Sequence, residues 1–329
     1  MNFFAVMLAL LCEQLKPLRY GNRIHQGVIG WVRWTGRNFD AGRAHHASIV
    51  WLITVVGPAA VTAGLYLLAH HYSVLLALLM NVAVLYLTLG FRQFSHYYTD
   101  IRDALERGDD LEARRLLSTW RNLDASELPR TELLRHVIEH SLLAAHRHVF
   151  GVFFWFVLLS TLGLGPAGAV LYRLAEFASR FWAFRSRTLG APTNERLMAL
   201  SQRNFRVIDH VPARLTAAGF AIVGNFEEAV NGWRRDAALW LHSNEGVILA
   251  AAAGALGIQL GGAAAPGVTP DRSRTFETGT DPDLTGADGS TPGMAVQIGH
   301  LQSLVGLVWR SVGLWMLLLA LLTLANLVG

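Results

Sequence analysis

Two histidines and a glutamate form the sharpest chemical pattern in the sequence. His136-Val-Ile-Glu-His140 matches H-x-x-E-H, the inverted zinc-protease signature. Histidines four residues apart on a helix can share a metal ion, with Glu139 as the general base. The alternative is a solvated, histidine-rich helix beside a membrane, and three fixed positions match easily by chance in a chain with 13 histidines. A membrane zinc protease is therefore the third hypothesis for function.

An acid and an arginine flank a predicted helix start in Asp209-His-Val-Pro-Ala-Arg214. An arginine one turn inside an otherwise apolar helix needs an anionic partner or a water-lined cavity. A bound phosphate or carboxylate fits this requirement, because the helix N-terminus adds its dipole. An internal pair between Asp209 and Arg214, which only orients the helix, fits equally well.

A glycine-rich segment, Gly254-Ala-Leu-Gly-Ile-Gln-Leu-Gly-Gly262, allows two interpretations. It can form a turn that cradles phosphate. Small residues at this spacing more often mark close helix packing in membranes, and we favour that interpretation. Gln259 is the one polar side chain inside the segment.

The composition indicates a membrane protein. Hydrophobic residues make up 52% of the 329 residues and charged residues 16%, against about 25% charged in ordinary globular chains. The single cysteine excludes a disulfide scaffold. The net charge of +4 is modest, so we expect no nucleic-acid partner.

Three uncharged segments predict membrane-spanning helices: 47–69, 72–91 and 311–328. A fourth apolar region, within 149–182, is interrupted by Gly163-Leu-Gly-Pro-Ala-Gly168, which disfavours one continuous helix. We expect two half-helices that form a re-entrant hairpin; a kinked span is the alternative.

The arginines predict the sidedness of the chain. Basic residues are concentrated in 13–46, 92–148 and 183–211, which the positive-inside rule places in the cytoplasm. Within them we expect cytoplasmic helices over 97–148 and 194–208, and the Gly/Pro/Thr/Asp-rich residues 264–293 predict a flexible loop. The expected fold class is an all-α, polytopic transmembrane helical bundle, a single multi-pass domain over 1–329 in the inner membrane.

Four blocks of the sequence together resemble the CobD/CbiB family. They are Leu111-Glu-Ala-Arg-Arg-Leu-Leu-Ser-Thr-Trp, Arg135-His-Val-Ile-Glu139, Val211-Pro-Ala-Arg-Leu215 and Gly254–Gly262, in that family's order. The resemblance implies a membrane-bound adenosylcobinamide-phosphate synthase. Such enzymes join an aminoalcohol phosphate to adenosylcobyric acid through an amide bond, with ATP and magnesium as cofactors.

The chain departs from the family at several acidic positions. The family's Glu-Asn-x-x-Asp would fall on Leu143, Ala144 and Arg147, and a later glutamate on Leu249. Its Asn-Thr-Leu-Asp would fall on 176–179, its Asp-Asp on 205–206, and its Ser-Pro-Asn on His242-Ser-Asn244. Carboxylates hold the magnesium ion that binds ATP, so the loss of these acidic residues argues against the amide synthesis of the family.

Other features resemble AmpE, a related membrane protein tied to β-lactamase regulation. These features are Cys12-Glu-Gln-Leu-Lys-Pro-Leu and the arginine at 147, whereas the intact glycine-rich segment resembles the synthases. We therefore expect a diverged member, embedded in the lipid bilayer, that binds a corrinoid or another anionic small molecule on its cytoplasmic side, with a working synthase as the alternative. The expected ligand-binding residues are Arg135, Glu139, Arg147, Asp209, Arg214, Asn244 and Gln259, without metal ligands.

Overall fold

The computed structural model of the protein describes residues 2–16, 23–39, 44–121, 124–188, 194–240, 242–262 and 290–328. Within these ranges every regular element is a helix, and two isolated β-bridges join Ile258 to Met294 and Gly261 to Ser290. The all-α fold class expected from the sequence is confirmed.

The helices follow one another closely along the chain. In chain order they are α1 (Asn2–Leu15), α2 (Arg23–Asn38), α3 (Ala44–Trp51), α4 (Gly57–Tyr72), α5 (Val74–Thr88), α6 (Phe91–Glu106), α7 (Asp110–Arg121), α8 (Arg130–Ala145), α9 (Gly151–Thr161), α10 (Ala167–Thr188), α11 (Glu195–Ile208), α12 (His210–Val223), α13 (Phe226–Asp236), α14 (Ser243–Leu256) and α15 (Gly299–Val328). Single π-helical turns, Leu52–Val56 and His146–Phe150, join α3 to α4 and α8 to α9.

The chain divides into two compact units. The first comprises residues 1–93, 147–209 and 319–329, and the second comprises 94–146 and 210–318. In the first unit α10 packs against α4, α9 and α11, while α5 packs against α1 and α4. In the second unit α14 packs against α8, α12 and α13.

Among the described residues, three helices are long and apolar enough to cross a membrane: His46–Tyr72, Arg130–Thr161 and Gly299–Ala325. The first contains the predicted span 47–69. The last overlaps the predicted span 311–328, but its helix begins at Gly299 rather than after Arg310. Arg310 is accommodated inside this helix because it is exposed and donates to its own helix at the carbonyl of Gly306, 3.1 Å away.

The predicted span 72–91 is shorter in the structure. Ser73 caps α5, because its hydroxyl accepts from the backbone N–H of Leu75, and Leu89 leaves the helical conformation with ψ of 144°. The 15 residues of α5 reach only about 22 Å at the rise of an α-helix.

The third long helix differs most from the sequence prediction. We expected cytoplasmic helices up to 148 and a new apolar segment from 149, yet Arg130–Thr161 is one helix. The π-helical turn His146–Phe150 keeps the backbone hydrogen-bonded through this region. Two thirds of its most apolar window is buried inside the protein, against one third for the other two helices.

A tight helical hairpin forms where the glycine and proline run lies. The turn between α9 and α10 contains Gly163 and Gly165, both with positive φ, which L side chains rarely adopt. Gly168 then lies against the carbonyl of Trp155, and Gly151 against the ring of Tyr172, so the two helices run antiparallel at close distance. The sequence predicted this break; its position relative to a membrane stays a prediction.

The other helices expected from the sequence are present. Helix α6 ends before Gly108 and α7 begins after it, and the amide oxygen of Asn194 caps α11. The structure describes only 290–293 of the predicted loop 264–293, and the rest of that prediction lies outside the described residues.

Candidate functional site

Arg135 and Glu139 bind the two backbone polar groups of one residue, Gly261. They lie one turn apart on α8 and are 9% and 2% exposed. The carboxylate of Glu139 accepts from the backbone N–H of Gly261 at 2.7 Å, and Arg135 donates to the carbonyl of the same residue. Arg135 also forms an ion pair with Glu132. In this arrangement the two predicted site residues bind the backbone of the protein.

Gly261 belongs to a short backbone clasp, which we define as residues 257–262 and 290–294. The N–H of Gln259 donates to the carbonyl of Met294 at 2.9 Å, and the N–H of Thr291 donates to Leu260 at 2.9 Å. The hydroxyl of Thr291 accepts from the N–H of Leu260 at 2.8 Å. These bonds satisfy backbone groups that no regular element pairs.

The glycine-rich segment serves packing and turns. A Cβ at Gly254 would contact the carbonyl of Glu228 on α13, and Gly257 ends α14 in the left-handed conformation, with φ of 68°. A Cβ at Gly262 would lie 2.7 Å from Arg135. Gln259 donates from Nε2 to the hydroxyl of Ser290 at 3.3 Å. These contacts favour the packing interpretation over a phosphate cradle.

Arg214 and Asn244 come together on neighbouring helices of the second unit. Helix α12 begins at His210, so Arg214 lies one turn inside it, as expected. Its Nη1 donates to the carbonyl of His210 at 2.8 Å and to Oδ1 of Asn244 at 3.2 Å. Asn244 is buried in the first turn of α14. The pair fixes the position of a partly exposed guanidinium group at the start of α12.

Asp209 and Arg147 belong to the first unit, where both are buried. The hydroxyl of Tyr172 donates to Oδ1 of Asp209 at 2.8 Å, and Arg147 acts electrostatically on the same hydroxyl. Asp209 is therefore oriented by a tyrosine that the sequence analysis did not single out. A tyrosine inside an apolar helix gives no signal of this role in its spacing.

The two histidines of the zinc-protease pattern, His136 and His140, contact an arginine and a tryptophan. Nη1 of Arg121 lies 2.7 Å from Nδ1 of His136. Because a guanidinium group only donates, Nδ1 accepts and the ring carries its proton on Nε2. The ring of His140 packs edge-on against Trp120 at 4.4 Å between centroids. The described residues contain no group of three His, Cys, Asp or Glu side chains that could hold a metal ion.

A second charged cluster surrounds Glu176 in the first unit. Its carboxylate is fully buried, accepts from Nη1 of Arg173 at 3.1 Å and pairs with Arg180. Burial and the two guanidinium charges hold the pKa of His25 below its ordinary value, so that its ring is neutral at pH near 7. The sequence placed no site residue here, because Glu176 does not fall on an acidic position of the family.

The predicted site residues thus divide between the units. Arg135, Glu139 and Gln259 bind or belong to the clasp, and Arg214 contacts Asn244, all in the second unit. Asp209 and Arg147 share the surroundings of Tyr172 in the first. The common ligand site predicted for these residues stays a prediction.

Comparison with known proteins gives one family. The family described as "CobD/Cbib protein" matches residues 4–283. A cobalamin biosynthesis protein CobD of Stutzerimonas stutzeri is 32% identical over 96% of both chains. Proteins of the same name from Chromobacterium violaceum and Leptospira interrogans are 35% and 26% identical, over 58% of both chains and over 59% of this chain and 60% of the other. No solved structure matches the chain.

Proposed function

Since the chain belongs to the CobD/CbiB protein family, we propose that it is a membrane protein associated with cobalamin biosynthesis. We further propose that it binds an anionic ligand without the amide-forming chemistry of the family's synthases. The three long apolar helices and the low charged fraction support a multi-pass protein of the inner membrane. The relatives' names support the pathway.

The replacement of polar family residues by apolar ones is the observation that carries the proposal that amide formation has been lost. Leu143, Ala144 and Leu249 stand where the resemblance places carboxylates or amides, and all three are buried. Magnesium prefers carboxylate oxygens and water, and none of these side chains offers an oxygen. The described residues at these positions therefore do not fit magnesium with ATP.

The acid that remains in the second block is already bound. Glu139 is 2% exposed, and its Oε1 accepts from Gly261 and lies 3.8 Å from Nε of Arg135. A carboxylate that holds a backbone N–H and an arginine gives up part of its capacity to bind a metal ion. We infer that Glu139 positions the clasp in this protein.

Arg214 supports the anion-binding part of the proposal. Its guanidinium group is partly exposed, is held by His210 and Asn244, and lies at the N-terminus of α12, where the helix dipole favours negative charge. A planar, positioned guanidinium suits phosphate or carboxylate. The ligand class is thus an oxyanion, carried by a corrinoid or by another small molecule.

A working synthase is the alternative, and two observations favour it. The segment Gly254–Gly262 is intact, and the relative from Stutzerimonas stutzeri matches over 96% of both chains. A regulatory role like that of AmpE is compatible with the first proposal, because it requires binding without amide synthesis.

Complementation separates the two proposals. We expect that the protein, expressed in a strain that lacks its adenosylcobinamide-phosphate synthase, will not restore cobalamin synthesis. The purified protein should show no magnesium-dependent ATP consumption with adenosylcobyric acid and aminopropanol phosphate. The synthase that the strain lacks, expressed from the same vector and detected in the membrane fraction, is the positive control. Robust complementation at ordinary expression would make the synthase the first choice.

Anion binding is tested at Arg214. Arg214→Lys keeps the charge but loses the planar fork, so we expect weaker binding of inorganic phosphate or pyrophosphate. The measurement is the phosphate-dependent rise in the unfolding temperature of the purified protein at constant ionic strength. Arg102→Lys, which changes an arginine bound to Asp103 on α6, is the control. Equal phosphate responses in the wild type and Arg214→Lys would count against the site.

A further inference from the structure

Helix α2 presents an exposed face that combines large apolar side chains with arginines. Ile24 and Trp34 are each 49% exposed, and Arg33 and Arg37 are exposed as well. The sequence from 14 to 39 contains no aspartate or glutamate, so no acidic residue of this segment neutralises these charges. At 100° per residue, Ile24, Trp31 and Trp34 form one stripe and the two arginines lie beside it.

The face of α2 next to this stripe is fastened to a candidate membrane span, and Trp31 lies between the two. Ile29, Val32 and Thr35 are buried on that face. The indole Nε1 of Trp31 donates to the carbonyl of Thr54 at 3.2 Å, and the hydroxyl of Thr54 donates to the hydroxyl of Thr35 at 2.8 Å. Thr54 belongs to the helix His46–Tyr72. The depth of Thr54 in a membrane therefore sets the depth of α2.

Helix lengths place this attachment near the membrane boundary. The 27 residues of the span reach about 40 Å, which exceeds the hydrocarbon thickness of about 30 Å by about 5 Å at each end. Thr54 lies eight residues from His46, about 12 Å along the helix and thus about 7 Å below the boundary. Amphipathic helices that lie in the interface bury their apolar side about 5–10 Å deep.

The aromatic side chains suit this level of a membrane. Trp34 stacks on Trp31 at 5.4 Å between centroids and meets the ring of Phe39 edge-on at 5.5 Å. Tryptophan concentrates at membrane–water interfaces, where its ring contacts acyl chains and its N–H stays hydrogen-bonded. Arginine binds phosphate with two parallel hydrogen bonds.

We propose that α2 lies in the plane of the membrane interface and binds anionic phospholipids. The stripe of Ile24, Trp31 and Trp34 contacts the acyl chains, and Arg33 and Arg37 bind the phosphate groups of the lipids. The negative surface potential of an anionic leaflet attracts juxtamembrane arginines. The inference rests on the membrane insertion proposed above and adds a lipid specificity to it.

The test uses the full chain in nanodiscs of phosphatidylcholine alone and of phosphatidylcholine mixed with phosphatidylglycerol. We expect phosphatidylglycerol to raise the unfolding temperature of the wild type and to have little effect on the double variant Arg33→Gln, Arg37→Gln. The control is Arg102→Gln, Arg115→Gln, which removes the same charge from arginines bound to Asp103 and Glu112. The control should keep the response to phosphatidylglycerol.

A second measurement locates the helix directly. Lipids brominated near the headgroup end of the acyl chain quench tryptophan on contact, so the quenched fluorescence should be larger in the wild type than in Trp34→Phe. Equal quenching in both, or an equal phosphatidylglycerol response in the Arg33/Arg37 variant, would overturn the proposal. Dimers that dissociate in the Trp34→Phe variant would assign the face to a second copy instead.

Failure of membrane insertion gives a different result. If the chain does not enter the nanodiscs and is extracted from membranes at alkaline pH, the proposed membrane protein and this inference are both wrong. If it enters and shows no lipid preference, only the role of α2 is wrong.

Discussion

Charged side chains in this protein bind backbone groups at positions where the family resemblance led us to expect a ligand. Glu139 and Arg135 hold the N–H and the carbonyl of Gly261, which lies 122 and 126 residues further along the chain, respectively. Arg121 holds His136 from 15 residues away. Buried charges need such partners, because desolvation of an uncompensated charge is costly. At the scale of single residues, the side chains predicted to bind a metal or a substrate are thus also structural groups.

Substitution of Glu139 tests this structural role. Glu139→Ala leaves the N–H of Gly261 without its buried acceptor and removes one of the two carboxylates beside Arg135, so we expect a loss of about 3 kcal/mol in the free energy of unfolding. Glu139→Gln keeps one acceptor oxygen for Gly261 and should lose less. Denaturant unfolding of the detergent-solubilised protein measures both.

The control for this prediction is Glu112→Gln, which breaks an exposed pair with Arg115 on α7. Exposed pairs contribute little, so its unfolding should match that of the wild type. A Glu139→Ala variant as stable as the control would show that the clasp does not depend on this carboxylate.

At the scale of elements, small residues decide how closely the helices approach. Helix α14 is buried from Gly246 to Ala253, and its glycine and alanine residues let α13 pack against it backbone to backbone. A Cβ at Gly232 would lie 2.7 Å from the carbonyl of Ala250. The glycine-rich block shared with the synthases therefore has a packing role whether or not the family's chemistry survives.

Two glycine substitutions should act in opposite directions. Gly254→Ala places a methyl group against the carbonyl of Glu228, so we expect a loss of about 1–3 kcal/mol from overpacking. Gly306→Ala, in α15, meets nothing within 4 Å and should gain up to about 1 kcal/mol in helix propensity. Thermal unfolding measures both. Equal stability of the two variants would contradict close packing of α13 on α14.

At the scale of the whole molecule, patterns among neighbouring residues predicted the helices. They did not predict which residues far apart in the chain contact each other. Gly163 and Pro166 marked the hairpin turn, and the pattern over 194–208 marked α11, because breaks and helical periodicity depend on neighbouring residues. The hydrogen bonds of Glu139 with Gly261 and of Tyr172 with Asp209 join distant positions. No spacing rule encodes such pairs.

The same reasoning explains why one helix boundary was wrong. Charged residues up to Arg147 indicated a cytoplasmic segment, but α8 continues through a π-helical turn into α9. Charged residues indicate a segment in contact with water, and apolar residues indicate a segment in contact with lipid. Helix continuity depends instead on backbone hydrogen bonds, which charged and apolar segments can both make. A change from charged to apolar residues therefore indicates a change from water to lipid, but the helix need not end there.

The charged residues of α10 support a re-entrant position for the hairpin of α9 and α10. On the returning helix, Arg173 follows Ala167 after only six residues. Full crossing by both helices would place Arg173, Glu176 and Arg180 in the hydrocarbon layer, where charges are costly. We therefore expect the turn to stop inside the membrane.

Single cysteines in a Cys12→Ser background test this sidedness at four exposed positions, which are Tyr72, Leu111, Leu162 and Val207. An impermeant thiol reagent applied to intact cells should label position 72, which the arginine distribution places outside. It should leave 111 and 207 unlabelled until the cells are permeabilised. Position 162, in the hairpin turn, should stay protected because the turn does not reach the outer surface. Labelling at 162 with protection at 207 would mean two full crossings, and labelling at 207 would mean a single span.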